Sequence, residues 1–249
     1  MIEIHPLGMI GEVEPGTDLA TILSEALLAA GQSVNGTNVL VVTQKIVSKA
    51  EDRYVDLDSV NPSEEALRLA RVTGKDPRLV ELVLTESTAV IRAAPNVLIT
   101  RHRCGQVMAN AGIDRSNTGG GGRVLLLPQN ADLSAERLRQ DLGLRFRNPP
   151  AVVISDSFGR PWRYGVVNVA LGACGLPALI DKRGEPDRDG RPLEVTQIAF
   201  ADIIASAAGL VMGEGAEGVP AALIRGAIWP AGSRSASALL RPLSEDLFQ

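Results

Sequence analysis

The chain has 249 residues, 45% of them hydrophobic and 22% charged but only 3% aromatic, which predicts a soluble globular protein with a core of Val, Leu, Ile and Ala. A formal net charge of −4 excludes broad electrostatic binding to nucleic acid or anionic lipid, so any phosphate must be met by local groups. Two cysteines, Cys104 and Cys174, stand far apart and outside any Cys-x-x-Cys pair. That argues against a disulfide framework or a zinc ligand set and for a reducing, cytoplasmic setting. No secretory signal pattern opens the chain.

Met1 to Ile4 predicts a short strand, followed by a Pro- and Gly-punctuated loop from His5 to Glu12. Thr17 or Asp18 caps a helix whose apolar positions Leu19, Ile22, Leu23, Ala26, Leu27 and Ala30 keep helical spacing up to Gly31. Asn38 to Thr43 is an almost continuous apolar run, the pattern of a strand covered on both faces. Its end delivers Gln44-Lys45-Ile46-Val47-Ser48-Lys49, with polar and cationic groups where α/β sheets place ligand residues. Pro62 to Val72 and Asp76 to Thr85 predict helices, and Ala89 to Arg92 and Val97 to Thr100 predict strands. His102, between Arg101 and Arg103, reads as a surface or hydrogen-bonded side chain before it reads as a catalyst.

The most informative stretch runs from Cys104 through Asn110-Ala111-Gly112-Ile113-Asp114-Arg115-Ser116-Asn117-Thr118 into four glycines, Gly119 to Gly122. A carboxylate, a cation and two polar side chains are crowded where the backbone is freest, which is how a charged-ligand site is built; an Asx-type surface turn is the plainer alternative. Arg123 to Leu127 predicts a strand and Ser134 to Leu144 a helix. The strand Ala151 to Ser155 then ends in Asp156-Ser157-Phe158-Gly159-Arg160-Pro161-Trp162-Arg163, repeating the Asp, Ser and Arg chemistry of residues 114–116. Paired hard carboxylates beside hydroxyls and arginines suit Mg²⁺ or Mn²⁺ carrying phosphate oxygens, and two unrelated polar loops are the bland reading.

Tyr164 to Ile180 is uncharged but too short and too interrupted by Gly, Asn and Pro for a membrane span, and reads as buried protein. A charged loop, Asp181 to Arg191, precedes a strand at Val195 to Ala199 and a helix at Phe200 to Met212. Gly213-Glu214-Gly215-Ala216-Glu217-Gly218-Val219-Pro220 then opens into a last strand, Ala221 to Arg225; its small residues let backbone amides approach a phosphate, and Glu214 is placed to ligate metal or ribose. No internal repeat and no linker divides the chain, so a single catalytic unit over 1–249 is expected, with any subdomain boundary unreadable. Neither a Gly-x-x-x-x-Gly-Lys-Ser/Thr loop, a Gly-x-Gly-x-x-Gly fingerprint nor a Gly-x-Ser-x-Gly elbow occurs.

In their order along the chain, the Pro6 to Gly16 loop, Val41 to Lys49, Arg101 to Asn117, Asp156 to Arg163 and Leu210 to Gly226 resemble the coenzyme F420-0:L-glutamate ligase family. The resemblance implies an intertwined homodimer of mixed α/β fold and a GTP-dependent acid–amine ligase. Such an enzyme adds L-glutamate to the lactyl carboxylate of F420-0 and then to the γ-carboxylate of the glutamate just added. It also implies two divalent cations, Mn²⁺ or Mg²⁺, with K⁺. Asp114 and Asp156 match ligands of the first metal, and Ser157 and Glu214 match positions at the second. Ile10, Gly11, Glu12, Val13, Gln44, Lys45, Lys49 and Asn117 match GTP-binding positions, as do Met212, Gly213, Glu214, Gly215, Ala216, Glu217, Gly218 and Val219. No residue is assigned as nucleophile or general base.

Two departures from the resemblance fall at Ile203, where many relatives have Glu, and at Lys182, where an aromatic residue is common before Arg183-Gly184. The second touches the charged loop and bears on the substrate more than on the nucleotide. A fused flavin-type domain, carried by some relatives, is not expected at this length. Alternatives are a ligase of the same kind acting on another carboxylate or amino acid, and a non-catalytic nucleotide-binding protein.

Overall fold

The computed structural model describes residues 1–116, 118, 120 and 122–246. In chain order they form β1 (Glu3–Leu7), α1 (Leu19–Ala29), β2 (Val39–Thr43), α2 (Gln44–Ala50), β3 (Tyr54–Asp56), α3 (Glu64–Thr73), α4 (Pro77–Thr85), β4 (Ser87–Ala94), β5 (Val97–His102) and β6 (Val107–Ala109). The chain continues through β7 (Arg123–Leu125), α5 (Ala131–Gly143), β8 (Ala151–Arg160), β9 (Arg163–Cys174), β10 (Leu179–Asp181), β11 (Gln197–Ala199), α6 (Phe200–Met212) and β12 (Ala221–Arg225). This is the mixed α/β class expected from the sequence.

The chain divides into two compact units that interleave in sequence. The first takes Met1–Val13, Thr17–Val47 and Asn130–Leu239; the second takes Glu14–Gly16, Ser48–Gln129 and the residues from Leu240 onward. The division crosses the sequence at several points, one of them inside α2, so no Pro/Gly-rich linker marks it.

The first unit is a five-stranded sheet in the order β1-β12-β2-β8-β9. β2 and β8 run parallel at its centre, Val39 opposite Ala151 and Thr43 opposite Ser155, while the other neighbours pair antiparallel. Alternation along these strands gives two apolar faces, as the unbroken hydrophobic run of β2 requires. Val39, Val41, Val153, Ala222 and Ile224 pack with Ala201, Ile204, Ala205 and Ala208 of α6. Leu40, Val42, Val152, Ile154 and Leu223 are buried on the opposite face, where α5 lies on β8 and β9 and α1 lies on α5. Asn130 caps α5 by accepting from Leu133 N at 3.0 Å, and Asp132 in its first turn accepts from the amides of Ala173 (2.9 Å) and Ala236 (2.7 Å). The helix can come this close because residue 172 is glycine: a Cβ there would overlap the carbonyl of Ala131.

β8 runs on to Arg160 instead of ending at Ser155. Its parallel neighbour β2 stops at Thr43, so residues 156–160 pair only with β9 as a projecting hairpin. This corrects the reading of the uncharged Tyr164 to Ile180 run as uniformly buried. Tyr164 is 102% exposed and Val166 50%, whereas Ala170 and Ala173, back over the sheet, are 1% and 4%. β1 likewise continues through Pro6 to Leu7, where the predicted loop had begun; Pro6 is tolerated because β1 is an edge strand.

The second unit combines the β4-β5-β6 sheet, the β3-β7 pair, α3 and α4. Ser63 and Asp76 cap the two helices, and Gly74, at φ 68°, ends α3. Leu57, Leu69, Val80, Val83, Leu98 and Val124 fill the core. Behind it Glu86 accepts from Arg103 (2.5 and 2.7 Å) and Arg53 (3.3 Å), and His102 Nε2 lies 3.5 Å away. His102 is 1% exposed, so it belongs to this buried cluster and not to the surface. Burial pushes the Glu86 carboxyl up, but His102, Arg103 and Arg53 outweigh it and hold the group below its ordinary value. Among the described residues no helix is long and apolar enough to cross a membrane.

Candidate functional site

Strand direction decides which predicted segments meet. β1 and β2 are both antiparallel to β12, and β8 is parallel to β2, so the carboxyl ends of β1, β2 and β8 and the amino end of β12 lie at one edge of the first unit's sheet. The Ile10, Gly11, Glu12, Val13 segment follows β1, Gln44 and Lys45 follow β2, Asp156 and Ser157 follow the part of β8 that pairs with β2, and Met212 to Val219 lead into β12. Thr43 N donates to Pro220 O at 2.9 Å, joining the last of these loops to β2. Four stretches distant in sequence thus share one end of one sheet, the end where α/β proteins bind ligands.

Within this group Ser157 and Glu214 touch. Ser157 Oγ donates to Glu214 Oε2 at 2.6 Å, and Asn168 Nδ2 donates to Glu214 Oε1 at 2.7 Å. Ser157 and Asn168 are direct cross-strand partners of β8 and β9, so their side chains stand on the same face. Asp156 Oδ1 accepts from the Ser157 amide at 2.9 Å. The loop bearing Glu214 leaves α6 at Gly213, φ 74°, and folds the Glu217 carboxylate back onto the Gly215 amide at 2.7 Å. A side chain at Gly213 would collide with Glu217.

α2 carries Gln44, Lys45 and Lys49. Gln44 and Lys49 are 3% and 4% exposed, an unusual burial for such residues away from a site. In the second unit Asp114 bridges to Leu125 through both backbone groups, and its Oδ1 accepts from the amide and the hydroxyl of Ser116, each at 2.7 Å. The Asx turn expected as the plainer alternative is therefore present, on a residue also expected to ligate metal. Just before it, Asn110, Ala111 and Gly112 are all left-handed (φ 52°, 52° and 69°), and a Cβ at Gly112 would press on Leu127 and Met108 at 2.8 Å. Asn117 lies outside the described residues.

Carboxylate and hydroxyl oxygens without imidazole or thiolate are the donor type of Mg²⁺ and Mn²⁺, and Glu214 with Ser157 beside it fits such an ion in chemistry. Among the described residues no three His, Cys, Asp or Glu side chains are grouped to hold a metal. Asn168 was missed by sequence reasoning. A polar residue inside an uncharged strand was its signal, but its partner is readable only once the hairpin register is known.

This arrangement defines a mixed α/β protein whose candidate ligand groups sit at strand carboxyl ends, in a sequence without a phosphate-binding glycine fingerprint. Residues 8–226 match the family described as F420-0:Gamma-glutamyl ligase, and the chain belongs to that family. It is 42% identical to the coenzyme F420:L-glutamate ligase of Methanopyrus kandleri, covering 100% of this chain and 98% of that one. The enzyme of the same name from Methanocaldococcus jannaschii is 41% identical over 89% of this chain and 88% of its own, and that of Halobacterium salinarum 46% over 86% and 83%.

Proposed function

We propose that this chain is a ligase that joins L-glutamate to coenzyme F420-0 at the expense of GTP, first at the lactyl carboxylate and then through the γ-carboxylate of the glutamate just added. The observation that carries the reading is the convergence at one sheet edge of the segments following β1 and β2 and preceding β12, which the resemblance matches to nucleotide-binding positions, with Asp156 and Ser157 on β8, which it matches to metal positions. The names of the relatives support the same chemistry.

In this reading the substrate carboxylate attacks the γ-phosphorus of GTP, GDP leaves, and the glutamate amine displaces phosphate from the resulting acyl phosphate. Lys45 and Lys49 on α2 offset charge on the triphosphate, and the amides of the Gly213 to Val219 loop receive its oxygens. Asp114, Asp156, Ser157 and Glu214 would hold two divalent cations, Mn²⁺ or Mg²⁺, with K⁺ assisting; such ions supply charge neutralisation at the phosphates. With no side chain assigned as nucleophile, the protein's contribution is positioning and electrostatics. The enzyme works as a homodimer, in which a second copy would cover the apolar projection of the β8–β9 hairpin, where Trp162 is 82% exposed.

The test is GTP turnover measured with F420-0 and glutamate supplied separately and together. Turnover only with both, and loss of at least about 100-fold in each of Asp114→Asn and Asp156→Asn with the fold retained, is the expected outcome. GTP hydrolysis indifferent to either substrate, or near-wild-type ligation by either variant at saturating Mn²⁺, would reject the assignment. Light scattering that finds a fully active monomer would reject the dimer.

A further inference from the structure

Glu214 is held from a direction that the known features of the site do not explain. Its loop has glycine on both sides and little of its own to fix a side chain, yet each carboxylate oxygen has a donor: Ser157 on one side, Asn168 on the other. Asn168 is itself gripped. Its backbone carbonyl accepts from Ser206 Oγ at 2.7 Å, and the amide of Ala170, two residues on, donates to Asp202 Oδ1 at 2.9 Å. Its side-chain amide rests against Gly209, where a Cβ would approach Asn168 Nδ2 to 2.5 Å and Cγ to 3.1 Å. Asp202, Ser206 and Gly209 are spaced i, i+4 and i+7 along α6 and share one helical face. Because β9 is the edge strand of its sheet, this stripe satisfies backbone groups that would otherwise face outward and sets one side chain in place.

We propose that Asn168 is a positioning residue of the ligase site: seated by the Asp202, Ser206 and Gly209 stripe, it fixes the Glu214 carboxylate in the orientation that receives a divalent cation. The inference rests on Glu214 holding a cation, as proposed above. Asn168 touches neither substrate nor cation; it acts through Glu214, as outer-shell hydrogen bonds do when they orient a ligating carboxylate. Gly209 is part of the device, since only a residue without a side chain leaves room for the Asn168 amide.

Mn²⁺ binding to the protein alone, followed by electron paramagnetic resonance of the free ion, tests this without GTP or turnover. Asn168→Ala is expected to weaken Mn²⁺ binding about tenfold or more. Gly209→Ala keeps every polar group and displaces only the end of the Asn168 side chain, while alanine's better helix propensity offsets the contact, so it should weaken Mn²⁺ in the same sense without lowering the unfolding midpoint. Glu214→Gln calibrates the experiment. If it weakens binding while Asn168→Ala and Gly209→Ala do not, the positioning role is wrong and the metal reading stands. If Glu214→Gln has no effect, both fall.

Discussion

The two units bury polar groups in opposite ways. In the first, carboxylates serve neutral backbone amides: Asp132 takes Ala173 and Ala236, and Asp202 takes Ala170. In the second, charge is buried against charge, with Glu86 under Arg53, Arg103 and His102. Neutral amide partners need only local register, so the first unit's polar contacts follow from strand pairing and helix seating. An ionic cluster needs all its members, because removing one leaves the others desolvated without compensation. The first unit should therefore be sensitive to shape and the second to charge.

The largest effect is expected from shape. Gly172→Ala places a methyl group on the Ala131 carbonyl, a backbone atom that cannot swing away, so α5 must shift. A loss of about 3 kcal/mol or more is expected, read by hydrogen exchange as faster opening of α5 and β9 with β4 and β5 unchanged. Equal loosening of both units would break the distinction. Next is Glu86→Gln, which keeps shape but strips the only carboxylate among these partners. About 2 to 3 kcal/mol is expected, moderated because Arg103 keeps contact with water. Exchange should rise in β4 and β5, and the variant should be more salt-sensitive than the parent. A neutral result would mean that the guanidinium groups do not depend on Glu86.

These differences also explain what could be read beforehand. Phe200–Met212 and Ala221–Arg225 emerge with the boundaries their patterns predict, because apolar residues there face a core and glycines bound them. Residues 156–160 read as a loop because a hairpin beyond the sheet has no face to bury and so needs no alternation. β3 and β6 are three residues each, too short to show a period. The interleaved division into two units leaves no trace in composition, since it crosses the chain at several points, one of them inside α2. At the site, the segments at the sheet edge were legible as motifs, and Ser157 and Glu214 as a pair only through family resemblance. Asn168 and Glu86 were not legible, because each acts through a partner distant in sequence that tertiary structure alone supplies.

The smallest effect separates the two styles most cleanly. Burial raises the Asp202 carboxyl above its ordinary value, and the Ala170 amide only partly offsets this. A group whose folded value lies above its unfolded 3.8 contributes stability that is fully present below that pH and is lost as pH rises through the folded value. At neutral pH Asp202 therefore costs the fold something while its Oδ1 still accepts the amide. Asp202→Asn keeps that acceptor and removes the charge, so at pH 7 it should equal the parent or exceed it by up to about 1 kcal/mol, with the advantage shrinking as pH falls toward 3.8. Asp202→Ala loses the acceptor and should be less stable by about 1 kcal/mol at both ends of that range. Denaturant unfolding at pH 4 and 7 measures all three. If Asp202→Asn were the weaker protein at pH 7, the carboxylate would be acting as a charge, and the first unit would resemble the second.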